Sequence, residues 1–185
     1  MDGNVSWCKL IWLSQNIPKH TFVFWKAVQN RLTTQDKVRQ WGSYDLMICP
    51  LCYNDMDSHS HLFFKCKYAG QFWGKVLVNI EINCGNMEWN EIVNEFARKF
   101  NGNSIGSVIR RLSLAASVYL IWQERNNKLF RGKQRGWEEL YKMFHETIRM
   151  RLMNLKVKPI CKVQQAWDAK MKVVTNGTVA DSNVK

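Results

Sequence analysis

Apolar residues recur along this chain three and four positions apart, the spacing of a helix face, and nowhere do they alternate for long enough to specify a strand. Trp7 to Leu13 is a short apolar segment, interrupted by Asn16 to Lys19. Pro18 opens a helix whose inward stripe is Phe22, Trp25, Val28 or Gln29, and Leu32, with the aromatic rings read as core. Thr33 or Thr34 is placed to N-cap a short helix running through Trp41, with Gly42 as its stop and Lys37, Arg39 and Gln40 on its polar face. Beyond Cys66, Phe72, Trp73, Val76 and Leu77 predict another helix. Residues 80–90, with Gly85 between Asn83 and Asn86, form a linker, and residues 88–100 a helix carrying Trp89, Ile92, Val93 and Phe96 that ends at Asn101-Gly102-Asn103. Ser104 or Ser107 caps the longest helix, with Leu112, Ala115, Ala116, Tyr119 and Trp122 on one face and a polar, basic far end from Glu124 to Arg131. After Gly132 to Gly136, a last helix from Trp137 to about Leu155 turns Leu140, Phe144, Ile148 and Leu152 inward. Its outer side carries Lys142, Arg149, Arg151, Lys156 and Lys158. The expected fold is mostly α.

One polar stretch breaks this pattern and carries the chemistry. Cys49-Pro50-Leu51-Cys52 is followed by the turn-forming loop Tyr53 to Ser60, then by His61 and, five positions later, Cys66. Structural zinc sites are four-coordinate and built from Cys and His, so a two-residue Cys turn, a His and a third Cys make a complete ligand set with no position open for substrate. His59 and His61 are both within reach, and the knuckle-like HxxxxC ending requires His61. A redox CxxC reading needs a strand–helix–strand context that the helical surroundings do not offer. Zinc deaminases place Pro before the first Cys and HxE upstream; here Ile48 precedes Cys49, and His20 is followed by Thr21-Phe22. The metalloprotease HExxH is absent too, because His145-Glu146 continues as Thr147-Ile148-Arg149.

Charge adds a second feature. The chain has 185 residues and a net charge of +12, and residues 109–172 contain 15 Lys and Arg against 5 Asp and Glu. So one-sided a stretch is the electrostatic footprint of a polyanion, nucleic acid before an acidic membrane, with solvated helix faces as the bland alternative. Arg110, Arg111, Arg125, Lys128, Arg131, Lys133, Arg135, Arg149 and Arg151 are the candidate phosphate contacts. The uncharged run Leu114 to Trp122 is too short to span a bilayer, and Met1-Asp2-Gly3-Asn4 begins no signal peptide, so an intracellular protein, nuclear or cytoplasmic, is expected, without a membrane partner. The remaining cysteines, Cys8, Cys84 and Cys161, read as partly buried thiols.

A family resemblance joins these features. Trp12, Phe24-Trp25-Lys26-Ala27, Arg31-Leu32-Thr33-Thr34, Trp41-Gly42, Cys49-Pro50-Leu51-Cys52, Asp57-Ser58, His61-Leu62-Phe63, Cys66 and Phe72-Trp73 resemble the zinc-binding domain at the C-terminal end of plant LINE-type reverse transcriptases. Ile121-Trp122-Gln123-Glu124-Arg125-Asn126 resembles the helical segment that follows it in those retrotransposons. Thr33 stands where that family often has Pro, and Asp57 where it usually has Glu. The resemblance implies that Cys49, Cys52, His61 and Cys66 hold Zn²⁺, and that the chain is a fragment or free-standing remnant of a retroelement polyprotein. The polymerase of that family needs an aromatic-Ala-Asp-Asp motif, and no adjacent Asp pair occurs here, so no enzyme activity is expected. The expected organisation is a small helical zinc-binding domain at 7–80 with a CCHC knuckle-like site, a basic helical region at 88–158 and a disordered tail at 173–185. Nucleic acid, RNA or DNA, is the expected partner, with a reverse transcriptase or other protein as the alternative.

Overall fold

A computed structural model describes residues 7–38, 47–84 and 87–155. Its helices are α1 (Cys8–Ile11), α2 (Pro18–Val28), α3 (Gln35–Val38), α4 (Lys67–Asn79), α5 (Trp89–Lys99), α6 (Ile105–Arg131) and α7 (Trp137–Met153), with a π-helical turn at His61–Lys65. The one extended pairing among the described residues is an antiparallel bridge between Ile48 and Met56. Parts of the expectation fall on Trp41, Gly42, Gly85, Lys156, Lys158, Cys161 and the tail, which lie outside the described residues.

The molecule is built around α6. Ser104 caps it, its side chain accepting a hydrogen bond from the Ser107 N–H at 3.2 Å, and Gly132 ends it at a left-handed φ of 65°. By length and composition α6 could cross a bilayer, but 67% of its apolar window is buried inside this fold, as in a core helix. It packs on α2, α7, α4 and α5, and α4 also packs on α7. Its apolar periodicity predicts a single buried face. Instead Val108, Leu112, Leu114, Ala116, Val118 and Ile121 bury it on nearly every side, because helices surround it. Residues of the zinc segment and of the basic segment contribute to one continuous core, from Leu10 and Phe24 through Phe63, Phe72 and Phe96 to Phe144 and Ile148.

The α2 stripe also differs from expectation. The face turned to α6 is His20, Thr21, Phe24 and Ala27; Trp25 and Val28 are half-buried, and Phe22 is 57% exposed. Contact with α6 sets the rotation of the helix, and the small Ala27 permits close approach where an aromatic ring would not. At the end of α2, Asn30 takes a left-handed φ of 53°; its N–H bonds to Ala27 O (2.8 Å) and the Arg31 N–H to Lys26 O (2.7 Å), a Schellman ending. Glu81 closes α4 in the same way, with φ 55°. The expected faces of α4, α5 and α7 are the buried ones, through Phe72, Trp73 and Val76, through Trp89, Ile92, Val93 and Phe96, and through Leu140, Phe144, Ile148 and Leu152.

Candidate metal centre

The segment Met47 to Asp57 folds back on itself. The Cys49 N–H bonds to Asp55 O at 2.7 Å, the Tyr53 N–H to Cys49 O at 2.9 Å and the Asp57 N–H to Met47 O at 2.7 Å. These bonds close the two-residue turn between Cys49 and Cys52, and Tyr53 completes it in the left-handed region, at φ 57°. The other two donors are placed by the π-helical turn. In an α-helix, residues five apart point about 140° away from each other, so His61 and Cys66 could not share a site. Here the Cys66 N–H bonds to His61 O at 2.8 Å, the wider i→i+5 closure, and both side chains reach the same point. Cys66 then serves as N-cap residue of α4, where the exposed N–H groups of the first turn favour a thiolate.

The ligand atoms of Cys49, Cys52, His61 and Cys66 all lie within 4.8 Å of one another. Cys49 Sγ and Cys66 Sγ are 3.9 Å apart, and Cys52 Sγ is 3.2 Å from His61 Nε2. A tetrahedral zinc at ordinary bond lengths would set sulfurs about 3.8 Å apart and sulfur to nitrogen about 3.5 Å, so the donors fit the ion closely. Their chemistry fits as well. The hydrogen bond it shares with Cys66, together with burial, pushes the Cys49 thiol well up, while the same bond holds Cys66 below the usual thiol range. Two buried sulfurs facing each other as thiolates are unfavourable without a cation between them.

Asp55 Oδ2 lies 3.2 Å from His61 Nδ1, and the other ring nitrogen, Nε2, is the one that faces Cys52 Sγ and the donor set. His59 is not part of the set. Its ring lies edge-on to Phe63 and Trp89 and bonds to the Ala27 backbone, and burial lowers its pKa to about 4. Of the two histidines within reach in the sequence, the geometry selects His61.

Beneath the loop is an ion pair that the sequence reading missed. Asp57, 0% exposed, receives the guanidinium of Arg125, 2% exposed, and its Oδ2 also accepts the Gln35 N–H at 3.0 Å. Asp57 therefore ties the zinc loop to α6 and supplies the acceptor at the start of α3 expected of Thr33 or Thr34; the Thr34 hydroxyl is buried without a partner among the described residues. The neighbouring Glu124, also buried, accepts the Arg135 N–H (2.6 Å) and its guanidinium (2.8 Å), and Gln134 Nε2 donates to Leu51 O at 3.1 Å. The signal was present: Asp57 and Gln123-Glu124-Arg125-Asn126 both lie in the segments that carry the family resemblance.

These contacts correct part of the basic set. Arg125 is buried in the pair with Asp57. Arg111 is buried, donating to Lys9 O (3.2 Å) and Gly102 O (2.6 Å), so neither can meet a phosphate. Arg110 bonds to Ile80 O and faces Glu81, Arg135 is held by Glu124 and Glu139, and Arg151 donates to Gln15 O. Lys128 lies over the Tyr53 ring, 5.6 Å from its centroid. Arg131, Lys133 and Arg149 are exposed, with no ion-pair partner among the described residues.

Fold and site together define a helical protein whose irregular loop is held by a structural Cys₃His metal site. A protein-family model described as zinc-binding in reverse transcriptase matches residues 1–73, the stretch that contains every ligand, and the metal is accordingly zinc. No curated protein and no solved structure matches the chain.

Proposed function

We propose that this chain is a non-catalytic, zinc-anchored module of a plant LINE-type retroelement reverse transcriptase, and that it binds nucleic acid through phosphate contacts. The observation that carries the reading is the group of cations at the end of α6, half-buried Lys128 with exposed Arg131 and Lys133, against the zinc loop: Lys128 lies over the Tyr53 ring, and Gln134 bonds to Leu51 of the Cys turn. Arg149 adds a further exposed cation on α7, with no ion-pair partner among the described residues. The net charge of +12 and the match of the zinc segment to a domain of a nucleic-acid enzyme support the same conclusion. Cys49, Cys52, His61 and Cys66 would hold zinc with no coordination position open, so its contribution is to fold the loop rather than to activate a substrate. The site of action would be intracellular, wherever that nucleic acid is met.

The test is binding of fluorescently labelled oligonucleotides by the full chain, followed by anisotropy across a salt series. With three or four phosphates neutralised, log Kd should change with log salt with a slope of magnitude about 2 to 4. Absence of binding at low salt, or a slope near zero, would refute the proposal. A second reading, a protein-docking scaffold, is favoured by the apolar hollow around Trp12 and Phe22, where Trp12 is 72% exposed.

A further inference from the structure

A groove of about 760 Å³ runs between the zinc loop, α3 and the C-terminal end of α6. Ile48, Pro50 and Tyr53 line one side, and Lys128, Leu129 and Phe130 the other. Among the described residues that line it there is no carboxylate. Phe130 is 76% exposed and Tyr53 61% exposed, so two aromatic rings face solvent where the chain has ample core to bury them in.

Tyr53 is the more telling of the two. Its φ of 57° lies in the left-handed region, which disfavours a bulky side chain and suits Gly or Asn. The zinc turn would close more easily with either, and the exposed Tyr ring adds little core contact in exchange. Strain retained at an exposed ring points to a use for the ring at the surface. One cation stands beside it, with Lys128 Nζ 5.6 Å from the ring centroid, and exposed Arg131 and Lys133 follow Phe130 in the chain, at the end of the groove.

We propose that this groove binds single-stranded nucleic acid, with bases stacked on Tyr53 and Phe130 and phosphates met by Lys128, Arg131 and Lys133. The inference rests on the nucleic-acid reading above and narrows it to a strand class and a surface. Phosphate attraction alone would need neither ring. Aromatic side chains flanked by cations are the means by which proteins hold single strands, whose base faces are open, whereas a duplex hides them.

The experiment compares the zinc-loaded full chain with Tyr53→Asn, Phe130→Leu and Lys133→Gln on labelled single strands of about 12 nucleotides and on duplexes of the same length. Asn suits the left-handed backbone, and Phe130 is 76% exposed and outside the donor set, so zinc content and helical circular dichroism should stay at the wild-type level. Each ring variant should weaken single-strand binding by roughly 5- to 100-fold, with duplex binding and the salt slope unchanged. Lys133→Gln should weaken both and flatten the slope. Ring variants that bind single strands like the wild type, while Lys133→Gln still weakens binding, would overturn the groove assignment and leave the phosphate reading standing, with an apolar protein segment as the occupant to seek. A wild-type chain that binds neither nucleic acid at low salt would overturn both.

Discussion

Replacing Asp57 by Asn removes one charge from the Asp57–Arg125 pair and changes almost nothing in shape. Both partners are fully buried, so the Arg125 guanidinium would be left without a counter-charge, its remaining contacts being Asn126 Oδ1 at 2.8 Å and the Trp122 ring at 5.0 Å. Breaking a buried pair from one side costs about 3–5 kcal/mol, because the stranded charge is not rehydrated. Domains of this size have about 5–15 kcal/mol in total, so the loss should lower Tm by roughly 6–20 °C. Exchanging both partners for apolar residues, Asp57→Leu with Arg125→Met, removes the stranded charge and leaves chiefly the unmet Gln35 N–H, a cost of about 1–3 kcal/mol. The double variant should therefore be more stable than Asp57→Asn or Arg125→Met alone. Urea unfolding in excess zinc, followed by circular dichroism, measures these variants and Asp57→Leu alone, which completes the cycle with Arg125→Met. Single variants that each cost under about 1 kcal/mol and add in the double would refute the claim that the pair holds the zinc loop on α6.

Other expectations follow from the same geometry. Elemental analysis should find one zinc per chain; His61→Gln and Cys66→Ser should lose it, whereas His59→Gln should retain it, since His59 lies outside the donor set. Chelation should reduce helical signal and lower Tm, because binding energy in such sites is also folding energy. Burial and Lys19 lower the pKa of His20 to about 4 from 6.5, so the unfolded chain binds its proton first. The stability this contributes is complete above pH 6.5 and is lost as pH falls toward 4, about 2 kcal/mol of it by pH 5. His20→Phe, which preserves the stack on Tyr119, should remove that part of the acid sensitivity when unfolding is compared at pH 7.5 and 5 in excess zinc. Glu81→Gly relieves a left-handed residue at the end of α4 and gives up an exposed carboxylate that lies 3.7 Å from Arg110; thermal melts should show Tm unchanged or slightly raised.

How far the chain could be read from its sequence depends on which residues are asked. The faces of α4, α5 and α7 were legible because each packs one side on the core and keeps charge on the other. For α6 the same rule fails: an element covered on nearly all sides has no polar face, and small residues such as Ala115, Ser113 and Ser117 conceal its burial from any periodicity. For α2 the period was right and the phase wrong, because Phe22 outweighs Ala27 in hydrophobicity while the neighbour's shape favours Ala27. The zinc ligands were legible because their residue types are rarely combined by chance. The HxxxxC spacing favoured His61 over His59, but the π-helical closure that brings His61 beside Cys66 is specified by no local propensity.

Charge was the least legible feature, for a reason that bears on function. A Lys or Arg counts equally in a sequence whether it neutralises a phosphate or a buried carboxylate. Arg125 and Arg135 look like members of a basic run, yet each has its own acid, Asp57 and Glu124, and together those acids join the zinc loop, α6 and the α6–α7 connection into one unit. The cations left over, Lys128, Arg131 and Lys133, sit on the unit so formed. Their positions relative to Tyr53 consequently depend on the metal: without zinc the Cys turn loses its closure, Asp57 loses the loop that presents it, and the groove loses one wall. Zinc removal should therefore abolish single-strand binding more completely than it lowers helix content. A chelated chain that keeps full affinity for single strands would separate the two and place the binding surface elsewhere.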